Sequence, residues 1–362
     1  MCEVFSLLKQ EKSMNTNQIY RAIKQSSISL LAGSLLLTVN SAFAEIKPAV
    51  VYDVAGKFDK SFNEAVFRNG VQKFKADTGI RVTEVEPTND AQKEQSLKKL
   101  AKRGNGPIVA VGFSMASGVE AAAKAYPDTQ FTIIDMVVGE PNVQNIVFKE
   151  HEGSFLVGVL AAMKSESGVV GFVGGMDIPL IRRFACGYEQ GAKYQDNNIE
   201  VLQKMTGSTG AAWNNPTKGG EITRSQIESG ADVVYAAAGG TGIGVYQTAA
   251  DMGKYAIGVD SNQNYMQPGT MLTSMVKRVG DAAYNSWNAG LNGTWKPGFQ
   301  ALGLAEGGVD WALDEHNRDL VTADMEARVN DLKAKIIAGD IVVHDYMSDS
   351  NCTPPKGVNF SN

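Results

Sequence analysis

The chain is short of the residues that most enzyme chemistry requires. Its 362 residues include three histidines and three cysteines. His151, His316 and His344 are far apart, and none stands in a strand-end loop beside a serine motif. The G-x-S-x-G elbow is missing, as are H-E-x-x-H and paired C-x-x-C patterns, so neither a catalytic residue nor a metal site is predicted. No G-K-[ST] ending completes a P-loop. Positive charge is also scarce, with 34 Lys and Arg against 39 Asp and Glu and a net charge of −5. Without a basic stripe carrying interleaved aromatics, nucleic acid is not an expected partner. No cofactor is implied. Beyond residue 44 no apolar run is long enough to span a bilayer, and no fixed-period repeat occurs.

The N-terminal 44 residues do not read as part of a fold. Arg21 and Lys24 precede the apolar run ISLLAGSLLLTV (28–39), and NSAFA ends at Ala44. A positive segment, an apolar segment and an A-x-A site make a cleavable secretory signal, which places the mature chain in the periplasm. Met14 is an equally good start. Cys2 lies far ahead of the cleavage site with no cysteine close behind it, so the pattern is not that of a lipid-anchored form. Residues 45–362 carry 30 Lys and Arg against 37 Asp and Glu, a net of −7. Two cysteines remain there, Cys186 and Cys352. In an oxidising compartment they pair as a disulfide tying the polar tail to the body; two buried free thiols are the alternative.

The mature length suits two lobes. Short β-branched runs recur: AVVYDV (49–54), RVTEVE (81–86), PIVAVGFS (107–114), FTIIDM (131–136), GVVGFVGG (168–175), DVVYAAAGG (232–240), YAIGVDS (255–261) and MLTSMV (271–276). EVLQKMTG (200–207) is a weaker candidate. Helical patterns such as 63–79 and 241–254 lie between them, and TADMEARVNDLKAKIIAGD (322–340) closes the series with a helix ending at Gly339, IVVHDYM behind it being a short strand or cover. Near-continuous apolar strands alternating with helices predict an α/β fold of parallel sheets covered on both faces. Turn residues near 151–154, 267–270 and 293–299 mark three crossings between lobes. The division expected is 45–152 plus about 270–296 for the first lobe, and 153–269 plus about 297–362 for the second.

Most runs finish on a small or polar residue: Asp53, Ser114, Asp135, Gly174, Gly239 and Asp260. Open α/β sheets bind ligands outside the carboxyl ends of their strands, so two facing sheets gather these residues in one cleft. One aspartate at a strand end is most simply a structural hydrogen-bonding group. Three in equivalent places, Asp53, Asp135 and Asp260, point to a ligand, because a carboxylate accepts two hydrogen bonds at once and suits vicinal hydroxyls or the donor edge of a base. Lys277 follows the last strand as a donor or as surface cover. The loop AAAGGTGIG (236–244) has the wrong spacing for a dinucleotide fingerprint, since Val245 stands where the third glycine belongs. Its free N–H groups serve a ligand or a tight turn. Phe62, one turn into the first helix, and Trp213, in the polar loop GSTGAAWNNPTKGG (207–220), are two candidate stacking surfaces, although Phe62 taken alone is more simply a core residue.

The stretches DVAGKFDKSFNEA (53–65), VGFVGGMDIPLIRRFACGYEQGAK (170–193), AAWNNPTKGGE (211–221), YAAAGGTGIGVYQTAADMGKYAIGVDSNQ (235–263) and LTSMVKRV (272–279) resemble the basic membrane protein family of ABC-transporter substrate-binding proteins. The resemblance spans essentially the whole mature chain. It implies a type I periplasmic-binding fold, two Rossmann-like lobes joined by three crossovers, in a monomer that captures a purine nucleoside by hinge closure and passes it to a membrane permease. By that resemblance Asp53 and Asn63 address the base, Phe62 and Trp213 stack on it, Asp260 takes ribose hydroxyls, and Ser114, Asp135, Gly240 and Lys277 line the rest. Phe58 departs from the family, which often has an acidic or aliphatic residue there. A sugar receptor is the alternative among binding proteins, and a nucleoside hydrolase the alternative among enzymes.

Overall fold

The apolar runs pair into two six-stranded sheets in the computed structural model, which describes residues 46–354. The expected signal segment 1–44 lies outside these residues. The first five strands are β1 (Ala49–Val51), β2 (Thr83–Val85), β3 (Ile108–Ala110), β4 (Phe131–Ile134) and β5 (Val143–Phe148). The next five are β6 (Val169–Met176), β7 (Glu200–Gly207), β8 (Val233–Ala237), β9 (Tyr255–Asp260) and β10 (Met271–Lys277). Two short strands follow, β11 (Gly298–Leu302) and β12 (Val309–Trp311).

The first sheet has the order β11-β5-β4-β3-β1-β2 and the second β12-β10-β9-β8-β6-β7. All pairings are parallel except that of β12 with β10. Within each sheet the leading strands follow the doubly wound 2-1-3-4-5 order, whose switch point lies between the first and third strands. Central strands β1, β3, β4 and β8 are buried along their length, whereas edge strands β2 and β11 are largely exposed. That contrast is what helices on both faces of a parallel sheet produce.

Helix termini follow the local sequence. Thr322 caps helix Ala323–Ala338 by accepting from the Met325 amide, and Gly339 ends it in the left-handed conformation at φ 81°. The first helical region starts at Phe62 and ends at Gly79, also left-handed, and winds as a π-helix over Val66–Gln72. Helix Val279–Leu291 lies against that stretch, where a side chain on Gly70 would come within 3.0 Å of the Gly280 carbonyl.

Three connections join the sheets, as expected, but the boundaries differ from the expected ones. The chain leaves the first sheet at Phe148, returns at Lys277–Val279 and leaves again after Leu302. The assignment of about 270–296 to the first lobe is therefore corrected for β10, which pairs with β9 in the second sheet. The assignment of 297–362 to the second lobe is corrected for β11, which pairs with β5 in the first. Turn residues at 267–270 only lead into β10. The crossing itself has no glycine or proline, because β10 passes straight into the next helix through Arg278. The segment IVVHDYM contains no strand and ends in a 3-10 turn at Tyr346–Ser348. Cys186 and Cys352 are bridged, with 5.4 Å between their Cα atoms.

Candidate functional site

The carboxyl ends of both sheets face one cavity, the place where open α/β sheets bind ligands. Asp53, Phe62, Asn63 and Asp135 line it from the first lobe, and Trp213, Asp260 and Lys277 from the second. Asp135 follows β4 and Asp260 is the last residue of β9, with φ of 68° and 63°. Aspartate tolerates this left-handed region better than most residues, and here it ends the strand at the cavity wall.

Lys277 is the electrostatic centre. Its ammonium lies 2.7 Å from Asp135 Oδ2 and 2.8 Å from Glu150 Oε1. The rings of Phe62, Phe148 and Phe184 surround it at 5.1–5.6 Å, within cation–π range. Burial alone lowers the pKa of this amine, but the carboxylates of Asp135, Glu150 and Asp260 outweigh it and hold the group well above its ordinary value. Burial pushes both Asp135 and Asp260 up to about 6, against the pull of Lys277. The second oxygen of Asp135, Oδ1, is buried without a hydrogen-bond partner. Such an atom in a cavity wall is suited to accept from a bound donor.

The lobes meet beside this cavity. Ser61 donates to Asp260 Oδ2 at 2.5 Å, Ser261 Oγ donates to the Ser61 carbonyl at 3.0 Å, and Gln263 Nε2 donates to the Lys60 carbonyl at 2.8 Å. Asp59 organises the first-lobe side of this contact, its carboxylate accepting the amides of Ser61, Asn63 and Glu64. Burial raises Asp59 to about 6 despite those three bonds.

Two expected site residues stand behind the wall. Ser114 donates to Asp53 Oδ2 at 3.0 Å and accepts from Lys93 at 2.7 Å, while Lys93 also lies 3.1 Å from Asp53 Oδ1. Gly240 is buried against the backbone of Trp213, and its neighbour Gly239 lines the cavity instead. Asn63 does line the cavity, but its amide holds the β1 loop. Nδ2 donates to the carbonyls of Asp53 and Gly56, and Oδ1 accepts the Asp53 amide. Only an acceptor lone pair is left for anything else. Phe58 is exposed and packs edge-on against Phe67.

The sequence reading missed Asp59, Glu150, Lys93 and Phe184. Phe184 lies within the quoted 170–193 stretch and was not singled out; the buried charges carry no local signal. Trp213 depends on Gly175, where a Cβ would sit 2.2 Å from the indole. Gly175→Ala is expected to displace the ring at a cost of about 1–3 kcal/mol from overpacking. A red shift in indole emission that vanishes in a Trp213→Phe background checks this.

Among the described residues no helix is long and apolar enough to cross a membrane, and no cluster of His, Cys, Asp and Glu is arranged to hold a metal. The family model described as ABC transporter substrate-binding protein PnrA-like, Bmp, matches residues 46–346. The ABC transporter nucleoside-binding protein BmpA of Lactococcus lactis is 29% identical over 89% of this chain and 97% of its own length. Basic membrane protein A of Borreliella burgdorferi is 31% identical over 82% of this chain and 87% of its own. A lipoprotein of Pyrococcus horikoshii is 34% identical over 74% of this chain and 69% of its own. Among solved structures, an ABC transporter solute-binding protein from Aeropyrum pernix superposes with a TM-score of 0.75 at 27% identity, over 83% of this chain and 93% of that one. A two-lobed α/β fold with a cavity at the facing strand ends, together with these matches, places the chain in the Bmp family of ABC transporter substrate-binding proteins.

Proposed function

We propose that this protein captures a purine nucleoside in the interlobe cavity, outside the cytoplasm, and delivers it to a membrane permease. One juxtaposition supports the reading: aromatic rings for a flat base and strand-end carboxylates for hydroxyls line the same space. Phe62, Phe184 and Trp213 supply the apolar surfaces, and base–aromatic stacking contributes about 1–3 kcal/mol per base. Asp260 and the unpartnered Oδ1 of Asp135 are acceptors suited to ribose hydroxyls. Asp53 and Asn63 face the base, with Asn63 limited to accepting. Ser114 acts by holding Asp53, and Gly240 by carrying the loop beneath Trp213. The relative from Lactococcus lactis bears a nucleoside-binding name, which agrees with this choice.

Isothermal titration of refolded protein against guanosine, inosine, adenosine, cytidine and ribose tests the reading. Refolding removes ligand retained through purification. Purine nucleosides are expected to bind and ribose to fail. Binding of ribose with failure of every purine nucleoside overturns the proposal, and release of free base, seen by chromatography, turns it towards hydrolysis.

A further inference from the structure

The C-terminal segment 341–354 is fastened to one face of helix Pro179–Gln195 at three points, although it contains no strand. Arg183, Cys186 and Gln190 are three and four residues apart, the spacing that puts side chains on one helix face. Cys186 is bonded to Cys352. Gln190 donates to the His344 carbonyl at 2.9 Å and accepts the His344 amide at 2.8 Å. Arg183 donates to both oxygens of Asp345, at 2.8 and 2.7 Å, the bidentate geometry that fixes a guanidinium plane.

The other edge of that guanidinium is turned inward. Nη1 donates to the Phe148 carbonyl at 2.7 Å and to Glu150 Oε2 at 3.0 Å. Phe148 and Glu150 form the first crossing between lobes. The remaining oxygen of Glu150 holds Lys277, the last residue before the second crossing and a cavity-wall residue. Charges therefore run without interruption from Asp345 through Arg183 and Glu150 to Lys277 and Asp135. His151 faces the same cluster, with Nδ1 4.0 Å from Asp345; burial lowers its pKa to about 4, so at neutral pH the ring is uncharged.

We infer that Asp345 and the disulfide-held tail are positioning elements for the ligand site, acting through Arg183 and Glu150 to fix Lys277 and the two crossings beside it. The inference rests on the nucleoside reading for its affinity readout only. Glu150 is buried, and Arg183 is the cation it keeps besides Lys277. If Asp345 releases Arg183, Lys277 must balance Glu150, Asp135 and Asp260 alone.

Asp345→Asn, Asp345→Glu and Cys352→Ser provide the test. Guanosine affinity is expected to fall about tenfold in Asp345→Asn, to fall in Cys352→Ser, and to recover in Asp345→Glu. The acid limb of affinity against pH, which follows Asp135 and Asp260, is expected to move upward in Asp345→Asn, because Lys277 is then drawn towards Glu150 and holds those carboxylates less firmly; a tail that merely adds stability does not move it. Hydrogen exchange of ligand-free protein gives a readout that needs no nucleoside. The amides of Lys149 and Arg278, which donate to Leu302 and Gly308 across the crossings, are expected to exchange at least about tenfold faster in Asp345→Asn. Wild-type protein that binds no purine nucleoside defeats the nucleoside reading, while exchange still decides the positioning role. Unchanged exchange at both amides, or unchanged affinity and acid limb in a wild type that binds, overturns the inference.

Discussion

Asp260→Ala is expected to weaken guanosine binding about a hundredfold while changing guanine binding by less than about threefold. A hydrogen bond to a charged group contributes about 1.5–3 kcal/mol, and loss of two ribose contacts reaches that range of affinity. Asp260 has acceptor capacity to spare, since its one shown side-chain donor is Ser61, on Oδ2. The same bond joins the lobes, so the substitution also loosens closure. Ser61→Ala separates the two effects. It removes the interlobe bond and leaves the carboxylate, and is expected to lower affinity for nucleoside and base by the same small factor. Titration calorimetry of both variants with guanosine and guanine measures this. Equal losses for the two ligands in Asp260→Ala contradict a ribose role and assign the residue to closure alone.

Asp260 was legible because its strand ends on it. The apolar run YAIGVD stops at a carboxylate, and an ionised group there needs partners, whichever they are. Asp53 and Asp135 were found in the same way. The partners themselves were not legible. Lys277 comes from β10, beside the strand of Asp260 and in the sheet opposite Asp135, Glu150 from the start of a helix, and Arg183 from the middle of another; no spacing in the sequence announces that they meet. Strands were missed for an equally local reason. In β5 the pair Gln144–Asn145 interrupts the apolar run, yet both are buried, with Gln144 bonded to Thr132 and Asn145 to the Val138 amide. Strand β11 is an exposed edge with Phe299 in solvent, so its pattern is not apolar at all. Because β11 lies just before the third crossing, missing it set that boundary too early, whereas the turn residues at 267–270 misplaced β10.

Those meetings of buried charge set the second large expectation. Lys277→Met is expected to destabilise the ligand-free protein by about 3–5 kcal/mol near pH 8, because removing one partner of a buried pair leaves the other uncompensated. Two carboxylates lie within 3 Å of the ammonium, Asp135 and Glu150, and Asp260 feels its charge as well. In the wild type, burial raises Glu150, but Lys277 and Arg183 outweigh it and hold the carboxyl below its ordinary value. Without Lys277, Asp135 and Asp260 move up from about 6, and Glu150 keeps only Arg183. A carboxyl whose folded-state pKa exceeds its unfolded value is penalised above the folded value, and the penalty fades as pH falls through it. The deficit of Lys277→Met relative to wild type is therefore greatest at pH 8 and shrinks between about pH 7 and 5. Urea denaturation of both proteins across that range measures the difference. A deficit that stays constant from pH 8 to 5 shows that the methionine disturbs packing, with the carboxylates finding other partners. A deficit that grows on acidification reverses the sign required by the buried cluster and rules out Lys277 as its balancing charge.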